Sequence, residues 1–285
     1  MPSTTPTSPD APAPSSPTPP TGVMDRTLAV LELLAHRAEG LQISAVSESL
    51  GIPLSATHRL LSDLAERGYV RQDRGHGAYR LTTRLVTLAF TYLAGSGITD
   101  TAQPVLDRLA AVSGELVRLA VVDGDRLTWV AKAQGAQSGL RYDPEMGQVA
   151  QLSCSSAGIA WLATMTDGEA LRRVERQGFA RPEEFGPRAP RTPKALLQHL
   201  RATRKRGYSL TLQTFTPWMA AMAAAVRSGP AGEVRGTVSI AGPVMRLTEE
   251  RMREMAPALL AAAGELAEAA VGSPVLARSR GGASA

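Results

Sequence analysis

The sequence predicts an α+β chain of two domains: a helical N-terminal unit closed by a short hairpin, then a unit built on an antiparallel sheet. Three observations predict it. Apolar residues recur at helical spacing three times between residues 25 and 67, and glycines follow the runs. Two short alternating stretches then flank a glycine-rich turn at 73–77. From residue 116 onward, β-rich runs in hairpin and meander order are bordered by helical segments.

The elements follow in order. Residues 1–22 are dominated by Pro, Ser, Thr and Ala, with Asp10 as the only charge, which predicts a disordered tail. Leu28, Leu31, Leu34 and Ala35 mark a first helix ending near Glu39-Gly40. A second, short helix is read with Ser44 as N-cap, Ile43 before it, and Val46 and Leu50 buried. Gly51 ends it, Ile52-Pro53-Leu54 connects, and a third helix runs from about Ser55 to Arg67. On that helix Thr57, Leu60, Leu61 and Leu64 form one face, while Ser55, His58, Arg59 and Ser62 form another. The second face carries hydroxyls, an imidazole and a guanidinium and no large apolar group, which is what a major groove accepts. Tyr69–Arg71 and Ala78–Leu81 read as the strands of a hairpin with a basic tip at 73–77.

Three helices and a basic-tipped hairpin form a winged helix-turn-helix. The charge follows the pattern: residues 55–84 hold six arginines against three acids, whereas residues 23–54 hold more acid than base. The whole chain has net charge +5, but only three of its 31 basic residues are lysine, so arginine abundance reflects general composition as much as nucleic-acid binding. Arg84 to Ser96 reads as a linker helix with a stripe of Leu85, Leu88, Ala89 and Tyr92 that needs a partner, either the next domain or a second subunit. The second domain spans residues 98–271, and 272–285 reads as another disordered tail. Its elements are a helix at 101–113, a hairpin at 116–133 turning on Asp123-Gly124-Asp125, and helices at 155–165, 167–177 and 193–206. Strands follow at 208–214, 219–227 and 234–241, then a helix capped by Thr248.

Other function classes fit poorly. There is one cysteine, Cys154, so no intrachain disulfide forms and no multi-cysteine metal site exists. The four histidines lack ligand spacing, and no Walker loop, Gly-x-Ser-x-Gly elbow or His-Glu-x-x-His helix is present. No catalytic residue and no cofactor is therefore predicted. No apolar run is long enough for a membrane helix, and the N-terminus lacks a secretory signal, so the expected location is the cytoplasm. An enzyme or stand-alone sensor whose winged helix serves protein contacts remains the competing class.

Several stretches resemble the IclR family of bacterial transcription regulators. Asp25–Leu34 is similar to the family's opening helix. Ser55-Ala56-Thr57-His58-Arg59-Leu60-Leu61, with Leu64, Gly68, Tyr69 and Val70, is similar to its recognition helix and the start of its wing. Gly77–Leu81 is similar to the wing's return strand. Arg191-Thr192, Arg206-Gly207-Tyr208 and Ser239–Pro243 with Leu247-Thr248 resemble marks of its effector domain. The resemblance implies a PAS/GAF-like effector-binding domain and a homodimer or tetramer on a palindromic operator in double-stranded DNA, modulated by a small molecule. The DNA-contacting set it implies, with the stripe above, is Ser44, Ser55, Ala56, Thr57, His58, Arg59, Ser62, Arg71, Arg74, His76 and Arg80.

The implied effector set is Ser155, Ser156, Ala157, Gly158, Met219, Ala221, Met222, Ser239 and Ala241. Here the sequence departs from the family. Ile159 stands where a lysine is usual, Ala221 where a cysteine is, Ala241 where a second serine is, and Thr211 near an expected aspartate. With Met219, Met222 and Trp218 nearby, these departures predict a less polar pocket and a more apolar or bulkier effector than a small organic acid. The competing reading is that the methionines and alanines merely fill a core.

Overall fold

The computed structural model describes residues 20–269, apart from Arg74, Gly97, Glu145 and residues 229–231. Residues 1–19, the tail at 272–285 and the candidate Arg74 lie outside the described residues. The chain divides into two compact units, residues 1–91 and 92–285.

The first unit packs α1 (Val23–Ala35), α2 (Ile43–Leu50) and α3 (Leu54–Glu66) against the hairpin of β1 (Val70–Gln72) and β2 (Tyr79–Leu81). Val30, Leu34, Val46, Ile52, Leu60, Leu61, Leu64, Val70 and Tyr79 form its core. Two readings are corrected here. Helix α1 stops at Ala35, not near Gly40, and Gly40 instead has φ +82° where its missing Cβ lets the chain approach the Tyr79 carbonyl. Leu41 then exchanges both backbone hydrogen bonds with Tyr79, at 2.9 and 2.8 Å, an isolated bridge on the outer side of β2. The second helix begins at Ile43 after an extended Gln42, so Ser44 sits inside its first turn, exposed and capping nothing.

α4 (Arg84–Ser96) spans the boundary between the two units. The second unit is α+β. Its sheet is antiparallel throughout, in the order β4-β3-β7-β6-β5, from β3 (Leu116–Asp123), β4 (Arg126–Gln134), β5 (Ser209–Leu212), β6 (Met219–Ser228) and β7 (Glu233–Pro243). One face is covered by α5 (Ile98–Ser113) and α9 (Glu249–Ala269), which bury Val117, Leu119, Met222, Ala224 and Ile240. On the other lie α6 (Ser156–Leu162), α7 (Asp167–Gln177) and α8 (Pro193–Arg206), around Ala120, Leu127, Trp129, Ile159 and Trp161. Period-two alternation assigns each strand residue to one of these layers.

Local sequence explains the helix ends. Thr166 and Glu169 form a reciprocal capping box at α7. Thr192 caps α8, whose first residue is Pro193, and Gly207 closes it in the left-handed conformation. Arg204 donates to the Ala163 and Met165 carbonyls and pairs with Asp167 at 2.6 Å, fastening α8 to α7. Among the described residues no helix is long and apolar enough to cross a membrane.

Candidate nucleic-acid interface and effector cleft

α3 is divided by burial. Thr57, Leu60, Leu61 and Leu64 are buried, whereas Ser55, His58, Arg59 and Ser62 are exposed. Thr57 is therefore corrected as a DNA contact: it is fully buried, and its hydroxyl donates toward the Ile52 and Pro53 carbonyls at 3.4 and 3.2 Å. Ala56 is half-buried and packs against the core. The turn that aims α3 is built at Gly51, left-handed at φ 62°, while the Ser47 hydroxyl donates to the Ile52 carbonyl at 2.6 Å.

The wing is stiffened from within. Asp73 accepts from the Gly75 amide at 2.9 Å and pairs with Arg80 at 2.5 Å. The Gly75 amide, with Arg80 nearby, holds the Asp73 carboxyl below its ordinary range. Gln42 donates to the His76 carbonyl, tying the wing tip to the start of α2. Arg71 and His76 are exposed, but the charge of Arg80 is already partly neutralised by Asp73. The structure thus brings Ser55, His58, Arg59 and Ser62 onto one surface, with Arg71, His76 and Ser44 elsewhere on the exposed surface of the same unit.

In the second unit a narrow cleft with about 10 Å³ of enclosed space, enough for roughly one water, lies on the α6 side of the sheet. Arg118, Trp129, Ser155, Ser156, Thr211, Thr214, Phe215, Met219, Ala220 and Ala221 line it. Of the residues predicted from sequence, Ser155, Ser156, Met219 and Ala221 meet here. Ala241 packs with Met219 and Ala221 behind them. Ser239 stands opposite Arg118 across β7–β3 and is buried, its hydroxyl 3.4 Å from the Arg118 carbonyl. Met222 is corrected: three residues from Met219, it falls on the opposite face, in the core under α9. Ala157 and Gly158 are also corrected. Ala157 packs in the core beneath α6, and a Cβ on Gly158 would sit 2.5 Å from the Leu152 Cα, so this glycine serves a close backbone approach. Ser155 caps α6, accepting from the Gly158 amide at 3.0 Å and donating to the Gln151 carbonyl at 2.7 Å.

Sequence reasoning missed Arg118, Trp129, Thr214 and Phe215 as lining, whereas Thr211, read as a pocket position, does line it. Arg118 is the consequential one. It is 4 % exposed, and its guanidinium carbon lies 3.9 Å from the centroid of the Trp129 ring. Tyr142 lies beyond, its ring centroid 5.6 Å from that carbon, held by Gln134 donating to its carbonyl at 3.0 Å and by the Lys132–Asp143 pair beside it. Burial pulls the Arg118 pKa down to about 10, with Tyr142 opposing the shift, so the group stays charged at neutral pH. The expectation of a less polar pocket is therefore corrected: losses on β6 and β7 are accompanied by a buried cation on β3. Cys154 is fully buried beside Ala180 and Ala189, and burial pushes its thiol up to about 12.

Residues 23–74 match the family model described as the IclR helix-turn-helix domain, and residues 90–268 match the one described as the bacterial transcriptional regulator IclR C-terminal domain. The chain belongs to the IclR family. It is 31% identical over 243 residues to the HTH-type transcriptional regulator BhcR of Paracoccus denitrificans, covering 85% of each chain. It is 26% identical to the transcriptional repressor IclR of Escherichia coli, covering 85% of this chain and 88% of that one. Solved structures share the fold. An IclR regulator from Alicyclobacillus acidocaldarius superposes with TM-score 0.73 at 22% identity, over 87% of this chain and 98% of that one. An IclR homologue from Microbacterium hydrocarbonoxydans, crystallised with 4-hydroxybenzoate, gives 0.72 at 21% identity over 88% and 100%. As an IclR-family member, the chain is a DNA-binding transcriptional regulator with a C-terminal effector-binding domain, not an enzyme.

Proposed function

We propose that this IclR-family regulator reads a palindromic operator as a homodimer or tetramer in the cytoplasm, and that a small molecule in the α6-side cleft modulates that binding. The observation that carries the reading is the division of α3: its apolar face is buried while Ser55, His58, Arg59 and Ser62 stay exposed. In this reading those four side chains face base edges, and Arg71, Arg74, His76 and Ser44 meet phosphates. An isologous dimer makes the operator palindromic, since each subunit reads one half-site. The crystallised relative that carries 4-hydroxybenzoate supports a small-molecule effector for the C-terminal domain.

The test is an anisotropy titration of the full chain against DNA flanking its own gene, at two salt concentrations. Saturable binding that survives competitor DNA and weakens with salt is the expected result. If no segment recovered in a genome-wide pull-down binds more tightly than random DNA, the reading of α3 as a recognition helix falls.

A further inference from the structure

The junction between α2 and α3 places an apolar side chain where the fold does not use it. Ile52 is buried and Pro53 is the N-cap of α3, yet Leu54, the first residue of the helix, is 53 % exposed. It takes no part in the core of its unit, which Ile52, Leu60 and Leu61 help to fill. Among the described residues from 29 to 85 no other Val, Leu, Ile or Tyr is exposed. Nor does capping explain it. The first turn of a helix leaves its amides free, and side chains with an oxygen are favoured there to accept from them. Pro53 forms no side-chain cap, and Leu54 carries no acceptor.

Its place on the helix does explain it. Leu54 stands four residues before His58, so the two are neighbours at the edge of the exposed face that carries Ser55, Arg59 and Ser62. The first residues of a recognition helix are the ones that reach base edges. Ser, His and Arg side chains exchange hydrogen bonds there, whereas leucine has neither donor nor charge, so phosphates and polar base edges offer it nothing. One apolar group is displayed in the major groove, the C5-methyl of thymine.

We propose that Leu54 is a specificity-determining residue of this regulator and packs on a thymine C5-methyl in each half-site of the operator. Burying that methyl favours thymine over the same base without it by about fourfold per half-site, and by about 15-fold when one dimer binds both half-sites. This assignment rests on the reading of α3 as the recognition helix and adds an apolar contact to its polar ones.

The experiment starts from the duplex that the full parent chain selects out of a randomised pool. Each thymine of its half-sites is replaced, one symmetry-related pair at a time, by deoxyuridine, which keeps the pairing edge and O4 and removes only the methyl. Anisotropy titrations compare the parent with Leu54→Ala, Leu54→Met and Arg59→Ala. At one thymine position the exchange should weaken the parent about 15-fold and leave Leu54→Ala unchanged. Leu54→Met keeps an apolar side chain of similar volume and should retain the sensitivity. A variant that merely folds less well binds both duplexes more weakly, so the thymine-to-uridine ratio reads the contact and not stability. Selected half-sites without thymine, a parent indifferent to uridine at every position, or a Leu54→Ala chain that keeps the parent's ratio would each overturn the assignment. If the ratio is flat while Arg59→Ala binds the selected duplex more weakly, α3 stands as the recognition helix and Leu54 alone falls. If neither Arg59→Ala nor Leu54→Ala weakens binding, both fall. A Leu54→Ala chain that keeps the ratio but sediments as a smaller species places Leu54 between subunits instead.

Discussion

Thr57 and Arg59 stand two positions apart on α3 and face in different directions. Thr57 turns its hydroxyl to the Ile52 and Pro53 carbonyls inside the unit, whereas Arg59 is exposed and makes no ion pair among the described residues. Arg59→Ala should therefore weaken specific DNA binding by about 1–3 kcal/mol with no loss of melting temperature. Thr57→Val should do the reverse: it costs about 1 kcal/mol of stability and leaves operator contacts in place. Anisotropy titrations paired with thermal melts separate the two, and an Arg59→Ala protein with unchanged operator affinity would remove Arg59 from the reading surface. Cys154 yields a second residue-scale prediction. With its thiol pushed up to about 12 it is protonated at pH 8, and only the thiolate attacks a disulfide reagent. The folded chain should leave Ellman's reagent unreacted at pH 8 and release one equivalent of chromophore once unfolded in guanidinium. Rapid reaction in the folded state would mean that the thiol is reachable and ionised there.

Elements were legible where local pattern and tertiary demand coincide. Helical spacing on α3, the Gly51 stop of α2, the Asp123-Gly124-Asp125 hairpin and the Thr248 start of α9 need only neighbours in sequence. The misreadings have a common cause, which is partners distant in the chain. Leu41 is held by a bridge to Tyr79, far along the chain, and Ser44 caps nothing because extended Gln42 starts the helix one residue earlier. In the cleft, Ser155, Ser156, Met219 and Ala221 came through family likeness, while Arg118 did not. A signal for it was present: a single charge inside Leu116–Val122, an otherwise unbroken apolar run, belongs to a strand buried on both faces. Two element junctions carry predictions. A Cβ on Gly158 would meet Leu152 backbone at 2.5 Å, so Gly158→Ala should cost about 2 kcal/mol or more by prising α6 from the segment before it. Glu115, just before β3, is buried and accepts from both Nε and Nη2 of Arg246 at 2.7 and 2.9 Å, while Arg246 also donates to the Leu140 carbonyl at 3.0 Å. Arg246→Ala leaves that carboxylate without its counterion and should cost about 2–4 kcal/mol. Urea denaturation with an unchanged slope measures both, and near-zero changes would mean that these junctions relax freely.

At the scale of the whole molecule, α4 is the element that a single chain does not account for. Val86, Leu88, Phe90 and Tyr92 are 49, 46, 65 and 64 % exposed, and Val86–Phe90 and Leu88–Tyr92 are i, i+4 pairs. The helices on the sheet of the second unit bury such residues, whereas α4 leaves these four exposed. Apolar surface of this kind is stable in water when something covers it, and in the dimer proposed above the same helix of a second subunit would supply a self-complementary cover under two-fold symmetry. In that proposed dimer, symmetry would link assembly to DNA affinity, because the second half-site would be bound at the high local concentration that the first provides. Losing the dimer removes this gain, on the order of 10²–10⁴-fold, while each isolated recognition helix keeps its own contacts. A Phe90→Asp, Tyr92→Asp double variant should therefore sediment as a monomer and bind a full operator at least about 100-fold more weakly. Its affinity for a single half-site should match that of the parent protein. A variant that remains dimeric would place the interface elsewhere. A monomer that loses half-site and full-site binding equally would show that α4 supports the fold of the DNA-binding unit rather than pairing two copies of it.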